Sequence, residues 1–97
     1  MTIGVCLVRL RIPESHSLKD KRQVVKAMTA RIRNRFNVSV AEVDENDRWQ
    51  TAALGVSCVS NSVQHANEVI SHVIDYIEGS HFDVEVLGYE VELVHAL

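Results

Sequence analysis

The chain has little proline, glycine or cysteine, and each scarcity excludes a class of protein. One Pro and four Gly among 97 residues argue against a disordered or linker-rich chain. The two cysteines, Cys6 and Cys58, stand alone in apolar runs without a CxxC motif. We therefore expect two buried, reduced thiols and no disulfide framework.

Long apolar runs and a leader-like N-terminus are also lacking. No apolar stretch approaches the roughly 18 residues of a membrane span. The first residues carry no positive charge before their apolar run, and Arg9 and Arg11 interrupt that run early. A signal peptide has the opposite pattern. We therefore expect a cytoplasmic protein with no membrane association.

Charge is distributed unevenly along a chain of otherwise ordinary composition. The length and the 46% hydrophobic and 24% charged content predict a single globular domain over residues 1–97. The net charge of −3 conceals an asymmetry between the two parts of the chain. Residues 1–36 hold nine Lys/Arg against two acidic residues, and residues 37–97 hold one against eleven. Such a split is typical of a nucleic-acid-binding surface, and equally of two halves that attract each other within or between subunits.

Hydrophobic periodicity predicts six elements in the order β-α-β-β-α-β. Ser17 and Asp20 resemble a capping box at the start of the first helix, and a change of apolar phase in the last strand predicts a bulge near Leu87-Gly88. Two right-handed crossovers then give an α+β, ferredoxin-like fold. We expect an antiparallel four-stranded sheet with strands one and three central, both helices on one face and the other face open. The predicted strands are 3–12, 38–43, 49–60 and 82–95. The first predicted helix starts at Ser17 and ends near Phe36-Asn37, and the second is capped by Asn61 or Ser62 and stopped by Gly79.

The first helix is the most informative feature for function. Four cations fall within about 60° of one another beside its apolar stripe, and clustered cations of this kind bind phosphate backbones. Arg31 and Arg35 lie on the other flank. The candidate nucleic-acid-binding residues on the helix are Lys19, Arg22, Lys26 and Arg33. Arg9 and Arg11 could extend the patch along the first strand, although on the open face of the sheet. The alternative is a solvated helix face that aids solubility.

RNA-binding domains of this topology stack bases on aromatic residues of their central strands. The first strand here has no aromatic residue, and the third has only Trp49, at its predicted start. The other open-face residues predicted for the third strand are small. We therefore expect any RNA to contact the helix, through phosphates and shape.

Apolar residues on the open face predict self-association. Val5 and Leu7, beside the small residues of the third strand, form a flat patch that is costly to leave in water. The last strand offers another docking surface, and a second copy of the chain would cover either one. We expect a homo-oligomer, most simply a dimer, with candidate interface residues Val5, Leu7, Trp49, Tyr89, Val91 and Leu93.

The start of the first helix is a weaker candidate, for an anion. Helix N-termini attract anions, and His16, Ser17 and Lys19 would contribute. Acylphosphatases hold phosphate at this place, but their loop is Gly-rich and contains an Arg, whereas this one has neither. Capping alone explains Ser17. His65 and His72 lie two turns apart on the second helix, too far to share one ion. We expect no metal, no cofactor and no catalytic constellation.

Four segments of the chain form a distinctive combination: Ser17-Leu18-Lys19-Asp20-Lys21-Arg22, the run from Arg35 to Asp44, Asp47-Arg48-Trp49-Gln50 and Leu54-Gly55-Val56. Together they resemble the YlxP-like family of small bacterial proteins of unknown function. The resemblance covers nearly the whole chain and implies a ferredoxin-like fold. Genes of this family often neighbour genes for translation initiation and ribosome maturation, which implies an RNA or ribosome association. The family supplies no established catalytic or binding residues.

Our leading hypothesis is a non-enzymatic binding protein that contacts RNA or a ribosomal subunit through its first helix. The alternative is a homo-oligomeric or protein-interaction module without a nucleic-acid role, in which the basic helix meets an acidic surface. An enzyme acting on a phosphorylated small molecule is the third possibility.

Overall fold

A computed structural model describes residues 1–79 and 81–97. The predicted element order is confirmed, and the strands form one antiparallel sheet in the order β2-β3-β1-β4, with two helices, so the fold is the predicted ferredoxin-like α+β arrangement. Strands β1 and β3 are central, as expected. The elements are β1 (Thr2–Arg11), α1 (Leu18–Arg35), β2 (Ser39–Asp44), β3 (Thr51–Ser60), α2 (Val63–Glu78) and β4 (Glu85–His95).

Helix α1 begins with the predicted cap. The Ser17 hydroxyl accepts a hydrogen bond from the Asp20 backbone N–H at 3.0 Å. The Asp20 carboxylate in turn accepts one from the His16 N–H at 3.1 Å. Two backbone donors at the helix start are satisfied by these reciprocal bonds, an arrangement that contributes about 1 kcal/mol to helix stability.

The core lies between the helices and one face of the sheet. Alternate residues of β1, among them Val8 and Leu10, are fully buried on that face, while Arg9 and Arg11 on the opposite face are exposed. Helix α2 packs very close to β1, because a Cβ at Gly4 would lie 3.1 Å from both the Cys58 Sγ and the Ile70 Cγ1. A larger residue at this position would push the helix away from the sheet.

Two bulges shape the outer strands. Arg9 pairs with Gly88 and Leu10 with Val86, so Leu87 is the extra residue that the change of apolar phase predicts. A second irregularity in β2, which we did not predict, leaves Val43 unpaired between Glu42 and Asp44.

The bulge in β2 places Val43 over the open face of β3. A Cβ at Gly55 would lie only 2.8 Å from the Val43 Cγ1, so Val43 occupies the space that a side chain at position 55 would need.

Trp49 corrects the predicted boundary of the third strand. β3 begins at Thr51, so Trp49 belongs to the turn before it and is 44% exposed. β4 likewise begins at Glu85, three residues after the predicted start.

Ala53 faces the open side yet is fully buried, between its cross-strand partners Arg9 and Asp44. Within the described residues, neither helix has the length and apolar character needed to cross a membrane.

Candidate nucleic-acid interface on the first helix

Four cations form a row along one flank of α1, which we call the cationic stripe: Lys19, Arg22, Lys26 and Arg33. All four are exposed. The stripe runs beside β2, since the Arg33 Nη2 donates a hydrogen bond to the Val40 carbonyl at 2.9 Å. Among the described residues, none of the four forms an ion pair. Their charges are therefore available to an anionic partner.

The opposite flank of α1 uses its cations for packing. The Arg31 guanidinium lies 4.7 Å from the centre of the Phe82 ring and donates a hydrogen bond to the His81 carbonyl at 3.1 Å. The Arg35 guanidinium lies 4.9 Å from the Tyr76 ring centre. Tyr76 also stacks on His81, with ring centres 4.5 Å apart. These arginines pack α1 against α2 and the segment that precedes β4, so we assign them a structural role.

Lys21 is the residue that the sequence analysis missed. Its side chain is fully buried, and its ammonium lies 2.8 Å from a Glu42 carboxylate oxygen. The same ammonium donates hydrogen bonds to the carbonyls of Glu45, at 2.6 Å, and Thr51, at 3.3 Å. One side chain of α1 thus contacts both strands of the β2–β3 hairpin and the turn between them. A signal existed, because Lys21 lies four residues before Val25 and seven before Met28, in phase with the apolar stripe.

Arg9 and Arg11 lie away from the cationic stripe. Both are on the open face, opposite the helices, as the sequence suggested. The Arg9 guanidinium approaches Glu45 at 3.9 Å and that of Arg11 approaches Glu85 at 3.8 Å. Exposed pairs of this length are weak, yet they give each arginine a local counter-charge. The structure therefore brings four of the six candidate cations together and separates the other two.

The candidate anion site at the start of α1 already contains a carboxylate. The Ser17 hydroxyl and the Asp20 carboxylate accept the N–H groups described above, and they place a negative charge at the positive end of the helix dipole. His16 is exposed and contributes its backbone N–H to this cap. Lys19 is better described as the first residue of the cationic stripe.

The candidate interface residues occupy three separate places. Val5 and Leu7 lie on the open face. Tyr89, Val91 and Leu93 lie on the helix-bearing face, because they pair with the inward-facing residues of β1. Trp49 is apart from both groups, in the turn before β3. No single contact surface includes all six residues.

Cysteine and metal chemistry is limited in the described part of the chain. Cys6 and Cys58 are free and buried, which confirms the predicted burial of both thiols. Burial raises the pKa of the Cys6 thiol to about 11, so the thiolate is scarce at neutral pH. Over residues 1–79 and 81–97, no three His, Cys, Asp or Glu side chains gather closely enough to hold a metal ion.

Comparison with known proteins gives two findings. A family model described as a protein of unknown function, DUF503, matches residues 3–91. The uncharacterized protein YlxP of Bacillus subtilis (strain 168) is 34% identical over 76 residues, which cover 78% of this chain and 83% of that protein. The family match runs from β1 into β4, where it ends at residue 91.

Proposed function

The chain belongs to the DUF503 family of proteins of unknown function, and we propose that it is a non-enzymatic protein that binds RNA through the cationic stripe of α1. The observation that carries the proposal is that Lys19, Arg22 and Lys26 are exposed and, among the described residues, contact neither a carboxylate nor an aromatic ring. Lys21, on the same helix, is buried in an ion pair, and Arg31 and Arg35 pack on aromatic rings. Among the described residues, only one flank of α1 thus presents exposed cations that contact neither a carboxylate nor an aromatic ring.

The shape of the stripe suits a phosphate backbone. At 1.5 Å of rise per residue, Lys19 and Lys26 are about 10 Å apart along the axis, and Arg33 is about 21 Å from Lys19. Each phosphate that a cation neutralises releases a condensed counterion, which favours binding entropically. The exposed flank offers no aromatic side chain for stacking, so the proposed mode is contact with phosphates and shape rather than base recognition.

Ribosomal RNA is the RNA class that we propose. The support is the resemblance to the YlxP-like family, whose genes often neighbour those for translation initiation and ribosome maturation. A ribosomal subunit, or a precursor of one, is then the proposed partner, and the cytoplasm is the proposed location. We assign no catalytic residue to this role.

The test is a charge-reversal variant carrying Lys19→Glu, Arg22→Glu and Lys26→Glu. These positions are exposed, so the variant should fold. Binding of the parent to a ribosomal RNA fragment, measured by fluorescence anisotropy, should weaken steeply with salt, by a log-log slope of about −0.7 to −0.9 per phosphate neutralised. The variant should lose at least about a hundredfold in affinity and most of the salt slope.

The matched control reverses Arg9 and Arg11 instead. These arginines are exposed like the stripe but lie on the other face beside Glu45 and Glu85, so their reversal should change affinity only slightly. If the stripe variant binds as tightly as the parent, or if both variants lose affinity equally, the proposed interface is wrong.

A second candidate function, a homodimer that serves protein interaction, is favoured by the exposure of β4. This edge strand is exposed on both faces, with Tyr89 52%, Val91 42% and Leu93 37% exposed. Edge strands offer unpaired backbone groups to another strand. We propose that two β4 strands could pair antiparallel beyond the bulge at Leu87.

Light scattering on a sizing column tests this candidate. A dimer should appear at micromolar concentration and should dissociate in a Tyr89→Ser, Leu93→Ser variant. A concentration-independent mass of 10.9 kDa for the parent would exclude the dimer.

A further inference from the structure

The open face of the sheet contains a trough that the RNA proposal does not use. Its volume is about 760 Å³, and its lining comes from all four strands. At about 4.8 Å between neighbouring strands, it crosses roughly 14 Å of sheet. The lining includes Val5 and Leu7 of β1, Ala41 and Val43 of β2, and Gly55 of β3.

The depth of the trough follows from small residues on its floor. Ala41 and Gly55 pair with each other across β2 and β3, and Gly55 contributes no side chain. Val43, placed by its bulge over Gly55, closes the β2 end. Val5 and Leu7 are half-buried and supply an apolar surface on the central strand. The floor therefore favours apolar side chains.

The other end of the trough is acidic. Glu90 and Glu92 pair across β1 with Leu7 and Val5, which places both on the open face. Over residues 1–79 and 81–97, neither glutamate forms an ion pair, although Glu85 of the same strand pairs with Arg11. Among the residues that the structure describes, no Lys or Arg lines the trough. Two unpaired like charges beside an apolar floor are complementary to a ligand that carries cations.

We propose that this trough docks a basic, amphipathic segment of a partner polypeptide, with its apolar side chains on Val5, Leu7 and Val43 and a Lys or Arg on Glu90 and Glu92. A polypeptide fits better than a small amine, because the trough is open along one side. Small ligands require a site that encloses most of their surface, whereas a segment is also held by the protein that carries it. Charge complementarity would fix its direction across the sheet.

The docking site is independent of the cationic stripe. The stripe lies beside the helix-bearing face and the trough lies on the opposite face, so both can be occupied together. Loss of RNA binding would leave docking in the trough intact, and the reverse also holds.

The probe for this site is a synthetic helix of about 12 residues, long enough to cross four strands. It carries leucines on one face and lysines beside them. Amide NMR shifts of the whole chain should change at Val5, Leu7, Gly55, Glu90 and Glu92. The paired variant Glu90→Gln, Glu92→Gln should weaken binding by about tenfold, as expected for two exposed ion pairs. A probe with Glu in place of every Lys should not bind.

The matched control is Glu68→Gln with Glu78→Gln, which removes the same charge from exposed positions of α2. This control should bind the probe as the parent does. The proposal is overturned if the control weakens binding equally, if the shifts map to other residues, or if the probe does not bind at millimolar concentration. Concentration-dependent shifts of Val5 and Leu7 without any probe would also overturn it, because a second copy of the chain would then cover the trough.

Discussion

Lys19 and Lys21 are two residues apart in the sequence, yet they lie in opposite environments. Lys19 is exposed and has no ion-pair partner among the described residues. Lys21 is fully buried, and its ammonium contacts Glu42 and two backbone carbonyls of the β2–β3 hairpin. The first is available to a ligand, whereas the second is part of the fold.

The difference between exposed and internal cations extends along α1 and determines how many of its positive charges can contact a ligand. Of the seven cations in residues 18–36, Lys21 is internal, and Arg31 and Arg35 pack on aromatic rings. Four remain for binding, and they share one flank. A net charge counted from the sequence therefore overstates the interface, while the angular position of each cation identifies it. The stripe and the internal cations should respond differently to mutation, and the predictions below depend on that difference.

The largest expected effect is a loss of stability on substitution of the buried Lys21. Lys21→Met should cost about 3–5 kcal/mol of unfolding free energy, because it leaves the Glu42 carboxylate without its cation. The Glu42 Oε2 is buried and, within the described residues, has no other polar partner. Two carbonyls lose their donor as well. Urea denaturation followed by circular dichroism measures the change.

Lys19→Met is the matched control and should change stability by less than about 0.5 kcal/mol, as is usual for an exposed position. Adding Glu42→Gln to Lys21→Met should recover part of the loss, since the uncompensated charge is then gone. Equal costs for Lys19→Met and Lys21→Met would contradict the distinction between the two environments.

A smaller loss of stability is expected on the flank of α1 where Arg31 and Arg35 pack on aromatic rings. Arg31→Ala should cost about 1–2 kcal/mol, since it removes a cation–π contact with Phe82 and a hydrogen bond to the His81 carbonyl. Thermal denaturation would show this as a shift of several degrees in Tm. Arg22→Ala, on the stripe, is the comparison and should be nearly neutral. A larger loss for Arg22→Ala than for Arg31→Ala would mean that the stripe also supports the fold.

The sequence predicted well those features that depend on local chemistry and periodicity. The Ser17 cap, the order of elements and the bulge at Leu87 each follow from a pattern within a few residues. Lys21 was missed because its partners, Glu42, Glu45 and Thr51, are more than 20 residues away. Burial of a lysine requires several acceptors at once, and only the fold brings these together.

The position of the last strand's apolar residues shows the same limit. Periodicity identified Tyr89, Val91 and Leu93 as one set, but the register with β1 decides which face they occupy. The trough likewise depends on the bulge at Val43, which has no pattern of its own in the sequence. The stripe was predictable as a row of cations, and its freedom from ion pairs was not.

Arg22→Glu is the substitution with the smallest expected effect on stability, and it distinguishes a role in binding from a role in folding most clearly. Arg22 lies three residues after Lys19 and four before Lys26, all exposed on one flank, so three like charges repel one another along α1. Arg22→Glu replaces this repulsion with two attractive pairs and places an acid near the positive end of the helix dipole. The variant should therefore be as stable as the parent or more stable by up to about 1 kcal/mol, measured by urea denaturation.

The same substitution should weaken RNA binding by about tenfold, because it removes one phosphate contact and adds a repulsive charge. Stability and affinity would then change in opposite directions, as expected for a residue retained for binding at some cost to stability. Glu78→Lys, a charge change of the same size and opposite sign on α2, controls for the overall field of the protein and should not raise affinity by a comparable factor. If Arg22→Glu lowers stability and leaves RNA affinity unchanged, Arg22 belongs with the structural cations, and the stripe loses its central member.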